Sequence, residues 1–430
     1  MKKASALLFS LVIVFSFIAS CNGESANGNG GADSQQELQV LLPQHPYADI
    51  LIARIDEFEN ETGIKVHIEQ LNEGEITAKQ GQAIEDDEFI ADVFMTRPMT
   101  ETLNFLKNDW MLPLDGYDFS DYAQNTLEIG FINNKAYFVP IVIEWQVLYY
   151  RTDLLAAAGL EVPTNFEELE EAAKALNSGG VAGFASRGAG SPAVSQLSGF
   201  LFNFGGRYIK DGAAAFDSPE AVEAIKFYGK LLGLYGPNGV GTMSWSEIMT
   251  LFKQGNVAMW TDASVFYGQL IDPANSQVPA GNIGVATLPR GPAADQPYIM
   301  TSWGISISSK TESEAAAMKF LNWATSEKMA AAAMAENIPT ARTSVWNDTE
   351  ITKNINPQIV ETMIHATENG YAYAVPLMTS VVEARELIGD VISESINTSG
   401  TSPRLQSLAT QNAAKVNDLL RQDGEYGTAR

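Results

Sequence analysis

Apolar and polar positions follow two rhythms along this chain. Residues 38–42 are a short apolar run, broken by Pro43-Gln44-His45-Pro46. Leu51, Ile55 and Phe58 then recur at the spacing of one helix face, and Gly63 stops the helix. Ile64, Val66 and Ile68 alternate with Lys65, His67 and Glu69, which predicts a strand with one polar side. Strand, helix and strand in this order predict parallel pairing through a right-handed crossover. Residues 89–94 predict a further strand that ends at Met95-Thr96-Arg97-Pro98. The longest run, residues 137–155, is mostly β-branched and aromatic and is interrupted by one carboxylate and one indole, Glu144 and Trp145. It is too polar for a membrane span and too long for an ordinary strand of about five or six residues. It reads as a buried connector between two lobes, with the break at Glu144 and Trp145 facing the cleft. Asp153 then opens a short helix that ends at Gly159.

Helix signals dominate the rest of the chain. Thr164 with Glu167 forms a capping box before a helix toward Asn177, and Ser244 with Glu247 forms a second before a helix ending at Gly255. Residues 191–204 are apolar and small, and Asp217-Ser218-Pro219-Glu220 is a strong helix start. Strands are predicted at 257–260, 282–288 and 302–308. Thr311 and Glu314 cap one long Ala-rich helix through Ala335, and Leu405, Leu408, Asn412, Val416 and Leu419 mark a last one. The alternation predicts an α/β fold, and no repeat of solenoid period is present.

Length adds that the 430 residues form two or more domains or lobes. The net charge of −25 repels phosphate backbones and anionic lipid surfaces, which excludes nucleic acid as an expected partner. Lys2 and Lys3, an apolar run over 4–18 and Ala19-Ser20-Cys21 have the parts of a secretory signal. Cys21 is the single cysteine, so no intramolecular disulfide forms. Ile18-Ala19-Ser20-Cys21 resembles the lipobox of bacterial lipoproteins, which implies lipidation of Cys21 after removal of residues 1–20. Residues 21–36, rich in Gly, Asn and Ser, read as a flexible tether.

Catalytic patterns are scarce. The chain has no Gly-x-Ser-x-Gly elbow, P-loop, dinucleotide glycine fingerprint or His-Glu-x-x-His. Its three histidines are scattered, a single cysteine excludes a Cys-rich zinc site, and no cofactor or metal is expected. Acidic residues are plentiful and a glycosidase needs only two, so composition alone leaves a hydrolase open. In open α/β sheets ligands sit beyond the carboxyl ends of strands, which makes Gln44, His45, Thr96 and Arg97 candidates by position.

Residues 134–140 (Asn-Lys-Ala-Tyr-Phe-Val-Pro) and 148–160 (Leu-Tyr-Tyr-Arg-Thr-Asp-Leu-Leu-Ala-Ala-Ala-Gly-Leu) resemble the signature segment of the family 1 extracellular solute-binding proteins, the carbohydrate receptors of bacterial ABC importers. Four further blocks fit in order, at 217–224, 252–260, 302–307 and 338–342. Phe184-Ala185-Ser186-Arg187-Gly188 and Trp260-Thr261-Asp262-Ala263 are most similar to the sorbitol/mannitol-type branch. The resemblance implies a two-lobed periplasmic-binding-protein fold with a three-segment hinge. The first lobe would be 37–142 plus 299–342 and the second 143–298 plus 343–430, with crossings near 142–143, 299–300 and 342–343. It further implies a monomeric, non-enzymatic, lipid-anchored receptor outside the cytoplasmic membrane, capturing a sugar or sugar alcohol for an ABC permease and touching the membrane only through its lipid. A sugar site needs flat aromatic faces for C–H surfaces and charged or amide groups for hydroxyls. Trp145, Trp260 and Trp303 are the expected platforms, and Glu144, Arg187, Asp262 and Arg342 the expected polar set. A glycoside-active enzyme and a sensory lipoprotein without an importer are the competing readings.

Overall fold

The computed structural model describes residues 36–428 apart from 129 and 133–134. The expected secretory signal, Cys21 and nearly all of the tether lie outside the described residues. The strands in chain order are β1 (Glu37–Pro43), β2 (Lys65–Leu71), β3 (Val93–Thr96), β4 (Phe131–Ile132), β5 (Lys135–Ala136), β6 (Val139–Arg151), β7 (Ile209–Lys210), β8 (Ala213–Ala214), β9 (Met259–Ala263), β10 (Ile283–Thr287) and β11 (Ile299–Ile307). β4 with β5 and β7 with β8 are small hairpins. The other seven strands form one mixed sheet in the order β10-β6-β11-β3-β1-β2, with β9 also paired to β6.

β1 and β2 pair in parallel from Glu37↔Lys65 to Pro43↔Leu71, as strand-helix-strand spacing requires. β2 is the edge strand and alternates between exposed and partly buried positions. The apolar run around residue 144 is one continuous strand, buried everywhere except at Glu144 and Arg151. Its first part pairs with β11, from Val139↔Ile305 to Trp145↔Ile299. Its second part pairs with β9 and β10, from Gln146↔Ala263 to Arg151↔Ile283. A single strand therefore carries both halves of the sheet.

Helices cover the two halves separately. Helix Pro46–Ala53 packs against helix Glu327–Ala335, and Glu314–Ala324 against β11. On the other half, Val381–Asn397 packs against Gly190–Asn203, Pro219–Tyr235 and Leu405–Gln422. The first of these contacts is tight: a Cβ on Gly389 would lie 2.5 Å from the carbonyl carbon of Gly190. The short helices Thr343–Asn347 and Thr349–Thr352 stay against Glu327–Ala335, whereas Pro357–Asn369 packs on β10 and β6.

Several boundaries differ from expectation for identifiable reasons. The first predicted helix breaks at Arg54 (φ −117°, ψ 8°) into Pro46–Ala53 and Ile55–Thr62. The long Ala-rich helix breaks at Thr325-Ser326, where Ser326 caps a new start by accepting from the Met329 N–H at 3.3 Å. The cap of helix Phe166–Leu176 is Asn165, which accepts from Glu168 N–H, while the Glu168 carboxylate takes both the N–H and the hydroxyl of Thr164. The strand expected at 89–94 begins only at Val93, and Asp92 instead accepts from Gln39 N–H at 2.8 Å and Thr311 Oγ1 at 2.5 Å.

Trp145 does not face a cleft. It has no exposed surface, donates from Nε1 to Thr362 Oγ1 at 3.1 Å, and packs edge-to-face on Trp346 at 5.5 Å. Removing it would empty the place where β6 passes from one half to the other. Trp145→Ala is expected to lower stability by about 3–5 kcal/mol, read as a reduced urea midpoint in equilibrium unfolding.

Candidate functional site

Two polar clusters form at strand ends, one on each half of the sheet. On the first, β1 runs into His45, β3 runs into Arg97, and β11 brings up Trp303. His45 caps helix Pro46–Ala53 by accepting the Tyr47 N–H at Nδ1, 3.0 Å away. That bond fixes the tautomer and leaves Nε2–H as a donor. Burial pushes the imidazole down to about 4, against the pull of Asp49, so it is neutral at pH 7. Its ring lies 5.4 Å from that of Trp303, and the Arg97 guanidinium lies 5.8 Å from the same indole. Arg97 is folded onto buried Glu101, with Nε and Nη2 donating to Oε1 at 3.1 and 2.6 Å and its own N–H to Oε2 at 2.9 Å.

The second cluster arises because residues 182–185 run parallel to 257–260, through the bridges Ala182↔Val257 and Ala185↔Trp260. Arg187 thereby arrives beside Asp262. The guanidinium donates to both carboxylate oxygens, at 3.0 and 2.5 Å, and Asp262 has no exposed surface. Burial alone would lower the Arg187 pKa, but the Asp262 charge and hydrogen bonds outweigh it and raise it. Gln196 Nε2 donates to Asp262 Oδ1 and Tyr298 Oη, each at 3.0 Å, and Gln146 Nε2 donates to Gln196 Oε1 at 3.1 Å. Burial and the Asp262 charge push the Tyr149 and Tyr298 hydroxyls well up, so both stay protonated.

Arg385, on helix Val381–Asn397, feels the charges of both clusters. Its Nη2 donates to Ser191 O at 3.1 Å, and its buried Nε has no partner among the described residues. Burial lowers its pKa, and the positive charges of Arg187 and Arg97 lower it further. A desolvated guanidinium beside two others requires an acceptor.

The eleven residues singled out from sequence separate accordingly. His45, Arg97, Glu144, Arg187, Asp262 and Trp303 belong to the clusters; Glu144 is partly exposed and its charge acts on Arg187. Gln44 is exposed and engaged through its backbone, donating to Leu71 O at 2.7 Å. The remaining four expectations are corrected. Thr96 is fully buried, with its hydroxyl 3.4 Å from Glu101 Oε2, and supports that carboxylate. Trp145 and Trp260 are fully buried core. Arg342 is engaged within the first half by Thr325 O, Asp121 Oδ2 and Tyr117 Oη, with its guanidinium 5.2 Å from the Tyr122 ring. Sequence reasoning missed Glu101, Gln146, Gln196, Tyr298 and Arg385. Only Arg385 carried a readable signal, since Val381, Ala384 and Ile388 keep helical spacing around it.

A mixed sheet whose central strand is shared by two halves, with polar clusters from both at strand ends, defines the two-lobed α/β fold of the periplasmic binding-protein class. The chain belongs to the bacterial extracellular solute-binding protein family, whose sequence profile it matches over residues 44–331. It is similar to the mannitol-binding protein of Pseudomonas aeruginosa, 31% identical over 244 residues that make up 54% of this chain and 56% of that protein. The match thus spans about half the length of that relative. Among solved structures, a solute-binding protein of Agrobacterium vitis S4 with bound D-mannitol superposes with a TM-score of 0.73 at 23% identity, covering 90% of this chain and 99% of that one. The GacH receptor of Streptomyces glaucescens, solved unliganded and with acarbose, gives 0.76 at 23% identity over 90% and 99%. These likenesses establish the two-lobed fold.

Two outcomes follow from the clusters. Because folding lowers the His45 pKa from 6.5 to about 4, its contribution is complete above pH 6.5 and is lost as pH falls toward 4. At about 1.4 kcal/mol per unit this amounts to about 3 kcal/mol. His45→Asn, which keeps a capping side chain, should be the less pH-sensitive protein in urea unfolding at pH 7 and pH 4.5. Arg187→Met strands a buried carboxylate and should cost about 3 kcal/mol or more by the same measurement at pH 7.

Proposed function

We propose that this protein is the capture subunit of an ABC importer. It would bind a sugar or sugar alcohol between its lobes outside the cytoplasm and present it to a membrane permease. The observation that carries the reading is the set of pre-positioned donors at the strand ends: neutral His45 Nε2–H, the Arg97 and Arg187 forks held by carboxylates, and Arg385 with an unused Nε. Fixed donors of this kind suit hydroxyl oxygens and a polyhydroxylated ligand. The names of the relatives, a mannitol-binding protein and receptors solved with D-mannitol and with acarbose, support the same class.

The lobes would be 37–142 plus 299–342 and 143–298 plus 343–430. The packing of Thr343–Asn347 and Thr349–Thr352 on Glu327–Ala335 favours a third crossing somewhat later than the 342–343 boundary, between Thr352 and Pro357. Ligand touching both clusters would shift the population toward closure. Cys21 would carry the lipid, residues 21–36 would act as tether, and the protein would work as a monomer. A receptor is favoured over a glycosidase because Glu101 and Asp262 are each neutralised by an arginine fork, which suits neither a general acid nor a nucleophile.

A thermal-shift panel of monosaccharides, disaccharides and polyols tests this. Ligand at a hundred times its dissociation constant should add about 2.7 kcal/mol, a rise of a few degrees at this size, and should be recovered unchanged. Ligand breakdown would turn the reading to an enzyme, and the absence of any shift would sink the carbohydrate assignment.

A further inference from the structure

The three arginines that act on one site are not equivalent. Arg97 is folded onto Glu101 and Arg187 onto Asp262, so each of these guanidiniums has a buried carboxylate of its own. Arg385 has none among the described residues. Its Nη2 donates to Ser191 O at 3.1 Å, and its Nε is buried without an acceptor. A neutral carbonyl answers one of its donors and none of its charge.

Helix packing holds Arg385 in this position. Val381–Asn397 crosses the start of Gly190–Asn203 at Gly389, where a Cβ would collide with the Gly190 backbone, and Arg385 stands one turn earlier on the same helix. Its acceptor, Ser191, lies four residues past Arg187. That helix start is capped by Ala189 and has no acidic residue in its first turn, so its positive dipole end adds to the local field. Glu383 and Glu386, the carboxylates nearest to Arg385 along its helix, line a surface groove with Asp390, Lys415 and Asp418, and Arg385 does not line that groove. The charged side chains that do act on Arg385 are both cations, Arg187 and Arg97, and its neighbour Tyr208 stays protonated because burial pushes its hydroxyl up. A desolvated guanidinium in such surroundings is costly unless an anion pairs with it, and a carboxylate does so through two parallel bonds.

We propose that the captured ligand carries a carboxylate and that Arg385 receives it, so that the substrate class is a sugar acid, an aldonate or a uronate. The proposal rests on the receptor reading and narrows it. Charge sets the class: one unpaired guanidinium calls for one negative charge, which a carboxylate supplies and a phosphate monoester exceeds. Neutral His45 and the Arg97 and Arg187 forks remain for the hydroxyls.

Isothermal titration of the full chain in detergent tests it. The probes are D-gluconate, D-galactonate, D-glucuronate and D-galacturonate, each beside its neutral counterpart, D-sorbitol, galactitol, D-glucose and D-galactose, with D-glucose 6-phosphate as the more highly charged anion. One of the acids should bind about tenfold or more tightly than its counterpart. Arg385→Met should erase that preference, and Arg385→Lys, which keeps the charge without the fork, should retain part of it. Ligand-free Arg385→Met should unfold at the same urea concentration as the wild type or a higher one, because it loses an unpaired buried charge. Neutral compounds bound as tightly as their acids, tighter binding of the phosphate, or an acid preference that survives Arg385→Met would each overturn the sugar acid while the receptor reading stands. If none of these compounds binds, the sugar acid is overturned as well, and the wider panel of monosaccharides, disaccharides and polyols then decides the receptor reading separately.

Discussion

A strand buried along nearly its whole length must have its backbone donors and acceptors paired inside the protein. That requirement on β6 organises the molecule. Where β11 ends and β9 and β10 begin, the pairing passes through three separate segments: Ile143 N–H donates to Pro339 O at 3.1 Å, Trp145 N–H to Ser264 Oγ at 3.3 Å, and Gln146 N–H to Tyr298 O at 3.1 Å. Satisfying one strand thus draws together residues from positions 264, 298 and 339. The same segments lead into Asp262, β11 and Arg342, so the demand that completes the sheet also assembles the second cluster.

Charge is distributed against the overall trend. The chain carries −25, yet the guanidiniums of Arg97 and Arg187 both act on that of Arg385 on helix Val381–Asn397. Two of them, Arg97 and Arg187, are held by buried carboxylates, which fixes their direction, while both still lower the Arg385 pKa through their charge. His45 adds no charge at neutral pH because burial keeps it unprotonated. The result is a set of donors whose directions are fixed by their partners.

Much of the local structure was legible in the chain. Ser218 caps its helix by accepting from Ala221 N–H, Ser244 and Glu247 form their box, and Gly63 and Gly159 close helices at φ 73° and 67°. These features depend on neighbours within four residues. The misjudged boundaries are those where a side chain found a better partner than the local pattern implied, as Ser326 and Asp92 did. At the site, Arg97 and Arg187 stood out as charged groups in loops and Asp262 as one near the end of a strand, whereas Arg385 was missed and two of the three tryptophans lie in the core. An indole within a strand has the same sequence context whether it lies in the core, as Trp145 does, or is nearly buried beside His45 and Arg97, as Trp303 is.

The sequence by itself determined the alternation of strands and helices, the long shared connector and the residue types available for binding, because periodicity and capping are short-range. Only the tertiary structure decided which of those residues meet. Arg187 and Asp262 are 75 positions apart, and Arg385 lies almost 200 beyond Ser191, to which it bonds. Their partners were chosen by strand pairing and helix packing, which act between segments with no local pattern in common.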